Sequence, residues 1–187
     1  MENSTDKKMT GGEAIVKSLI NEGVETIFGL PGIQLDPMFN ALHDSSNEIR
    51  VVNARHEQGV AYMAFGYAQS TGKPGVYAVV PGPGILNTTA ALSTAYACNR
   101  RVLAITGQIP SSYIGRELGM LHEIPNQLSI LEGLTKFAKR INYPSDAPAI
   151  VSEAFKNMRS GTPRPTAIDM PMDIMQHKSE VALRTFT

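Results

Sequence analysis

One carboxylate and three segments rich in glycine and proline are the residues of this sequence whose types and spacing could do chemistry. The carboxylate is that of Glu57, and the three segments are 29–32, 81–84 and 107–110. Because glycine lacks a Cβ, the backbone of such segments can come close to a flat or bulky ligand. The pattern therefore predicts a site in which backbone encloses a ligand and Glu57 contacts it.

Alternating strands and helices are predicted to bring these segments together. The predicted strands are 25–28, 49–52, 75–80, 102–106 and 166–170, and the predicted helices are 35–42, 56–71, 87–98 and 147–158. A further helix is predicted to begin at a capping box formed by Thr10 and Glu13 and to end at Gly23. This alternation is typical of parallel strands joined by right-handed crossovers, and strands that are apolar throughout suit a sheet covered on both faces. We therefore predict an α/β fold, an open, mostly parallel sheet with helices on both faces (a three-layer sandwich). The candidate segments then meet at the carboxyl ends of the strands, where such sheets bind ligands.

Glu57 has two interpretations from its position alone. A carboxylate in the first turn of a helix stabilises the helix dipole by about 0.3 to 1 kcal/mol, which needs no ligand. The helix that follows, however, is apolar on nearly every side between Gly59 and Ala68, so we expect it to be deeply buried. A carboxylate at the head of a buried helix requires a partner, and a ligand can be that partner. Both interpretations stay open on these grounds.

Composition narrows the class of protein. The 187 residues fit one domain, and 42% hydrophobic with 18% charged residues exclude a disordered chain. Lys plus Arg and Asp plus Glu each total 17, so the basic excess typical of nucleic-acid binding is missing. No run of about 18 apolar residues predicts a membrane span. The single cysteine, Cys98, is predicted to be a buried thiol in a reducing, cytoplasmic setting.

Two functions of other classes compete with a catalytic site. Gly82 and Gly84 follow a strand and open a helix, as in a dinucleotide-binding module, although Asn87 stands where the third glycine of that fingerprint belongs. The next predicted strand, 102–106, is also followed by Gly107, where a dinucleotide-binding module would have an acidic residue that binds the ribose. The other alternative is a non-catalytic domain that uses this fold only to dimerise.

Four motifs, in this order, resemble those of a known family. They are Phe28-Gly29-Leu30-Pro31-Gly32, Arg55-His56-Glu57-Gln58-Gly59-Val60-Ala61, Pro81-Gly82-Pro83-Gly84 followed by Asn87, and Ile105-Thr106-Gly107-Gln108-Ile109-Pro110. From about Thr10 to Met172 the chain resembles the N-terminal pyrimidine-binding (PYR) domain of thiamine diphosphate-dependent enzymes. Within that family it is most similar to the group of acetohydroxyacid (acetolactate) synthase, pyruvate oxidase and benzoylformate decarboxylase.

The resemblance implies a role for Glu57 and for the segments around it. Glu57 matches the glutamate that hydrogen-bonds the N1′ atom of the aminopyrimidine and so activates the cofactor, thiamine diphosphate. The other matching cofactor-binding residues are Pro31, Gly32, Pro83, Gly84 and Asn87. The implied reaction is that of an acetolactate synthase-like carboligase or decarboxylase acting on a 2-oxo acid.

Substrate-facing residues are also implied by the resemblance. They are Ile33, Gln34, Val80 and Gln108. Leu121-His122-Glu123 departs from the Phe-Gln-Glu of the synthases, so His122 takes the place of an active-site glutamine. His122 is therefore a second catalytic candidate, able to relay a proton to the carbonyl adduct, and a plain surface-loop histidine is the alternative. No residue of this chain is predicted to bind a metal.

Half of the implied active site falls outside this sequence. Family members hold the diphosphate through Mg²⁺ in a second domain with a Gly-Asp-Gly motif, which this sequence lacks. We therefore expect a disordered or tag-like tail at 1–9, the pyrimidine-binding domain at 10–175 and the start of an interdomain connector at 176–187. A domain of a longer protein, inactive alone, is favoured over a separate subunit.

The implied partner is the diphosphate-binding domain of a second subunit, in a homodimer or homotetramer. The resemblance is compatible with FAD as a further cofactor of a full-length protein, but no residue of this sequence predicts FAD binding.

Overall fold

A computed structural model describes residues 7–183 of the chain. The strands are β1 Lys7–Thr10, β2 Thr26–Gly29, β3 Arg50–Asn53, β4 Gly75–Val79, β5 Val102–Gln108, β6 Phe137–Arg140, β7 Thr166–Pro171 and β8 Lys178–Val181. The helices are α1 Gly11–Asn21, α2 Asp36–Asp44, α3 Glu57–Thr71, α4 Pro83–Leu86, α5 Thr89–Ala97, α6 Gln127–Leu134, α7 Ala147–Arg159 and α8 Met172–Gln176. Short 3₁₀ turns cover Ile33–Leu35, Ser111–Tyr113 and Pro144–Asp146.

Six strands form one parallel sheet in the order β3-β2-β4-β5-β7-β6, and β1 pairs with β8 as a separate antiparallel ribbon. From β2 the chain moves to β3 on one side and then to β4 on the other. This reversal is the topological switch point at which open parallel sheets bind ligands. The predicted α/β fold with a parallel sheet is therefore confirmed, and the ends of β2, β3 and β4 flank the switch point.

Helices cover both faces of the sheet, and each face has its own apolar core. Helices α1, α2 and α7 pack on one face, and α3, α5 and α6 on the other. Consecutive residues of β4 serve different cores, because Val76 and Ala78 belong to the first and Tyr77 and Val79 to the second. This explains why the strand shows no alternation of polar and apolar residues.

The second core depends on small residues that let α3 approach the sheet. A Cβ built on Gly75 of β4 would lie 2.0 Å from the carbonyl oxygen of Ala64 in α3. Alanines on α3 and α5 complete this core. The helix that begins with Glu57 therefore sits on the sheet at a distance that only glycine at position 75 permits.

Local sequence sets where α1 begins and where α3 begins and ends. The Thr10 hydroxyl accepts a hydrogen bond from the Glu13 amide at 3.1 Å, and the Glu13 carboxylate accepts from the Thr10 amide at 2.6 Å. This is the predicted capping box. At the start of α3 the His56 ring accepts a hydrogen bond from the backbone N–H of Gln58, and Gly72 ends the helix with a φ of 70°.

Several elements differ from the sequence predictions. The predicted helix 87–98 is the shorter α5, Thr89–Ala97, and a separate short helix, α4, precedes it at Pro83–Leu86. Between the two helices, the Thr88 hydroxyl donates to the Ile85 carbonyl and accepts from the Tyr77 hydroxyl. Strand β5 includes Gly107 and Gln108, which the prediction placed after the end of that strand. Helix α6 and the edge strand β6 were not predicted. Residues 7–9, placed in the predicted tail, form most of β1, and β8 lies in the predicted connector; 1–6 and 184–187 are outside the described residues.

Two burial predictions are wrong. The thiol of Cys98 is exposed, because the residue follows the last turn of α5. Helix α3 is not deeply buried on all sides, since Tyr62 is 38% exposed and Gly66 is exposed as well. No residue between 7 and 183 packs over that outer side. Within the same range, no helix is both long and apolar enough to cross a bilayer.

The Gly75 contact yields a stability prediction. Gly75→Ala would force a methyl group into the backbone of α3, so we expect a loss of about 1 to 3 kcal/mol in the free energy of unfolding. Gly66→Ala is the matched control, because its Cβ meets no atom within 4 Å and alanine favours a helix by about 0.5 to 1 kcal/mol. Urea unfolding of both variants measures the difference, and equal effects would contradict the close packing of α3.

Candidate active site

Glu57 and Asn87 form the polar centre of the candidate site. Glu57 is the first residue of α3, and Asn87 follows α4 at the end of the glycine-rich turn after β4. The side-chain amide of Asn87 donates a hydrogen bond to Glu57 Oε2 at 3.0 Å. The contact fixes one carboxylate oxygen and leaves Oε1 pointing toward Gly84, 3.7 Å from where a Cβ on that glycine would be.

Val80 lies between two glycines at the base of this centre. A Cβ on Gly32 would lie 2.4 Å from Val80 Cγ1, and a Cβ on Gly84 would lie 2.6 Å from Val80 Cγ2. Either position therefore excludes every larger residue while Val80 keeps its place. The predicted residues Gly32, Val80, Gly84, Glu57 and Asn87 are thus brought together by direct contact.

Of the other predicted residues in and directly after the segment 29–32, two are exposed and one is buried. Pro31 is exposed, and Ile33 is 58% exposed. Gln34 is 3% exposed and packs on Gly107, and its Oε1 finds no hydrogen-bond partner among residues 7–183. Pro83, in the turn after β4, is also exposed.

His122 reaches the site through its backbone. Its φ is 69°, in the left-handed region, and its carbonyl oxygen lies 2.3 Å from where a Cβ on Gly82 would be. The half-buried His122 ring leaves Nδ1 without a partner in the described part of the chain. The structure therefore brings the His122 backbone against the turn that carries Gly84.

Gln108 lies in a neighbouring cavity, away from the Glu57–Asn87 contact. It is 3% exposed, and its Oε1 accepts a hydrogen bond from the Ile109 amide at 2.8 Å. The cavity has a volume of about 530 Å³ and is lined by Gln108, Glu123, Gln127 and Arg140, among others.

Three functional candidates were missed by the sequence predictions: Gln127, Arg140 and Asp169. Asp169 in β7 is fully buried and accepts two hydrogen bonds from Arg140 in β6, at 2.9 and 2.7 Å. Gln127, 2% exposed, binds both Asp169 and the turn that contains Gly82. One signal was available, because an aspartate within the apolar strand 166–170 requires a buried partner.

Burial dominates the electrostatics of this group. It raises the pKa of the Asp169 carboxyl, while the hydrogen bonds from Arg140 and Gln127 act in the opposite direction. Across the described residues 7–183, no cluster of three or more His, Cys, Asp or Glu side chains could hold a metal ion.

An uncharged helical surface adjoins the site. No charged residue occurs between Glu57 and Lys73, or between Lys73 and Arg100. In the structure, α3 and α5 lie side by side and the Tyr62 hydroxyl is 3.3 Å from that of Thr94. Exposed residues of the two helices include Gly59, Tyr62, Gly66, Ala90, Ser93 and Tyr96. We call these six residues the α3/α5 face.

Comparison with known proteins gives one family. Residues 9–130 match the model described as thiamine pyrophosphate enzyme, N-terminal TPP binding domain. Acetolactate synthase from Arthrospira platensis is 41% identical over 170 residues, which are 90% of this chain and 29% of that protein. A probable 2-ketoarginine decarboxylase from Pseudomonas aeruginosa is 38% identical over 169 residues, 90% of this chain and 30% of that protein. Acetolactate synthase isozyme 1 large subunit from Escherichia coli is 35% identical over 178 residues, which are 95% of this chain and 31% of that protein. The chain therefore spans less than a third of the length of these curated relatives.

The contact between Val80 and Gly84 can be tested by stability alone. Gly84→Ala would place a methyl group 2.6 Å from Val80 Cγ2, and we expect a loss of about 1 to 3 kcal/mol in the free energy of unfolding. Val80→Ala removes the opposing methyl groups, so the double variant should lose about 0.5 to 3 kcal/mol less than the sum of the single variants. Urea unfolding of the four proteins gives the coupling, and strict additivity would show that the two residues do not touch.

Proposed function

The chain belongs to the thiamine pyrophosphate enzymes, as their N-terminal TPP-binding domain, and on that premise we propose that it forms the pyrimidine-binding half of an acetolactate synthase-like carboligase or a decarboxylase. The proposed substrate is a 2-oxo acid. One of the similar proteins is named a synthase and another a decarboxylase of a 2-keto acid, which supports this pair of reactions.

The observation that carries the proposal is the contact of Glu57 with Asn87 above Gly84. Glu57 Oε2 is held by the Asn87 amide, so the carboxylate cannot rotate freely and Oε1 is presented over Gly84. In the proposed function, Glu57 binds N1′ of the aminopyrimidine and holds the proton there. A positioned proton-transfer group of this kind contributes about 10²- to 10⁴-fold in rate.

The residues around Glu57 fit the flat pyrimidine ring. Gly32 and Gly84 have no side chains, and Val80 between them offers an apolar surface. Backbone and methyl groups can therefore bind the faces of the ring while Glu57 binds its edge. When bound, thiamine diphosphate supplies the carbon that attacks the carbonyl group of the 2-oxo acid.

We further propose that His122 moves a proton on the substrate side of the site. Its Nδ1 has no partner among residues 7–183, and its backbone is held against Gly82. An imidazole can donate and accept protons near neutral pH, which an amide at the same place cannot do. The exposed Ile33, next to Gly32, is the proposed apolar contact for the substrate.

The second half of the site is proposed to come from a diphosphate-binding domain with Mg²⁺, in a second subunit. The chain spans less than a third of the length of its relatives, which leaves room for such a domain in a longer protein. The α3/α5 face lies on the helix that begins with Glu57 and on its neighbour α5, and it has no charged residue. We propose that this face packs on the diphosphate-binding domain and that the chain alone is inactive.

Glu57→Gln tests the mechanism in the full-length protein. Glutamine keeps the size of the side chain but cannot take up or give the proton at N1′. We expect the exchange of the cofactor C2 proton for deuterium, measured by NMR with thiamine diphosphate and Mg²⁺, to slow by about 10² to 10⁴.

Glu132→Gln is the matched control, because Glu132 is an exposed carboxylate on α6. It should exchange at the wild-type rate. A Glu57→Gln protein that also exchanges at the wild-type rate would refute the proposed role of Glu57.

Charge on the α3/α5 face tests the proposed partner. Ala90→Glu places a carboxylate on the exposed side of α5, in its first turn, where docking would strip it of water. We therefore expect the full-length protein to lose its subunit contacts. Ala149→Glu makes the same change at an exposed position in the first turn of α7, on the other layer, and should assemble normally. Sedimentation velocity measures both, and normal assembly of the Ala90→Glu protein would exclude this face as the interface.

A further inference from the structure

We propose that Gln127 is a positioning residue for the proposed cofactor-activating site, because its side chain joins the Gly82 turn to the end of β5 and to strand β7. The inference rests on the proposed function. Gln127 touches neither Glu57 nor Asn87, so any effect on the site must pass through the backbone that it holds.

The Gln127 amide makes three hydrogen bonds, each to a different segment. Its Oε1 accepts from the backbone N–H of Gly82 at 3.0 Å. Its Nε2 donates to the Gly107 carbonyl at 3.0 Å and to Asp169 Oδ2 at 3.3 Å. The turn after β4, the end of β5 and strand β7 therefore meet on one side chain.

Asp169 and Arg140 fix the direction in which this amide points. Asp169 and the Gly107 carbonyl are both acceptors, so only the NH₂ group of Gln127 can face them, and Oε1 must face Gly82. Arg140 donates one hydrogen bond to each oxygen of the Asp169 carboxylate, and Oδ2 accepts from Gln127 as well. The buried ion pair thus orients Gln127.

Gly82 depends on this contact. Its φ of 59° and ψ of −120° suit glycine alone, and the His122 carbonyl leaves no space for a Cβ. A buried backbone N–H without a partner is strongly disfavoured, and Gln127 supplies the partner. Two residues further along the chain is Gly84, which packs on Val80 beside Glu57. Any shift of Gly82 therefore moves the surface on which the pyrimidine is proposed to lie.

Gln127 also links this turn to the loop that carries His122. Gln127 begins α6 directly after that loop, and the His122 carbonyl packs on Gly82. One side chain therefore sets the distance between the segments that support the two proposed proton-transfer groups. A displacement of about 1 Å at a reacting centre can cost about 10²-fold in rate.

The test uses the full-length protein and the rate of C2 proton exchange at saturating thiamine diphosphate and Mg²⁺, with no substrate required. We expect Gln127→Ala to slow exchange by about 10- to 10²-fold. Gln127→Glu should be at least as slow, because a carboxylate oxygen would then face Asp169 and the Gly107 carbonyl.

Loss of a merely structural contact would lower the unfolding temperature and leave exchange at saturating cofactor unchanged. The two roles are therefore separated by measuring both quantities on each variant.

Val151→Ala is the control for lost stability, because Val151 is fully buried in α7, in the core of the opposite layer. It should lower the unfolding temperature and leave the exchange rate unchanged. If Gln127→Ala exchanges as fast as Val151→Ala, the positioning role is wrong. Glu57→Gln separates the two proposals: slow exchange in it with normal exchange in Gln127→Ala rejects only the role of Gln127. Wild-type exchange in Glu57→Gln rejects the proposed function and this inference with it.

Discussion

Close approach of backbone to backbone is the constraint on which both the fold and the site depend. Gly75 lets α3 lie against β4, because a Cβ on residue 75 would lie only 2.0 Å from the Ala64 carbonyl oxygen. Gly82 lets the loop of His122 reach the turn after β4 in the same way. Because a side chain at either place would separate the segments, the position of Glu57 at the start of α3 and the shape of the turn beneath it both follow from missing Cβ atoms.

Two side-chain amides then hold the turn after β4 from its two ends. Asn87 binds Glu57 at one end, and Gln127 binds the Gly82 amide at the other. Glycine gives the turn its shape but also raises its conformational freedom, since glycine loses more entropy on folding than other residues. Polar anchors at both ends offset that freedom, and the Gln127 anchor also supplies a partner for the buried Gly82 N–H.

The central part of the fold, Glu57 and the glycine segments could be predicted from local signals in the sequence, whereas Val80 and Asn87 were placed in the site by the family resemblance. Apolar strands such as β4 and the glycines after them mark the sheet and its carboxyl edge without any knowledge of contacts. Gln127 could not be found in this way, since its three partners lie 20 to 45 residues away along the chain. Helix α6 and strand β6 were missed for a related reason: both are short, and β6 carries Lys139 and Arg140 at the edge of the sheet.

The wrong prediction for α3 has a physical meaning of its own. An apolar helix without charges was expected to be covered on every side, and residues 7–183 cover the side that faces the sheet and the flank beside α5, while the outer side is exposed. Removal of apolar surface from water contributes roughly 25 cal/mol per Å². A partner that covered the exposed apolar area of the α3/α5 face would therefore stabilise the assembly. Because Glu57 begins this same helix, a partner that covers the α3/α5 face would press α3 against Gly75 and the sheet. Assembly and the position of the Glu57 carboxylate would then be coupled through one rigid element.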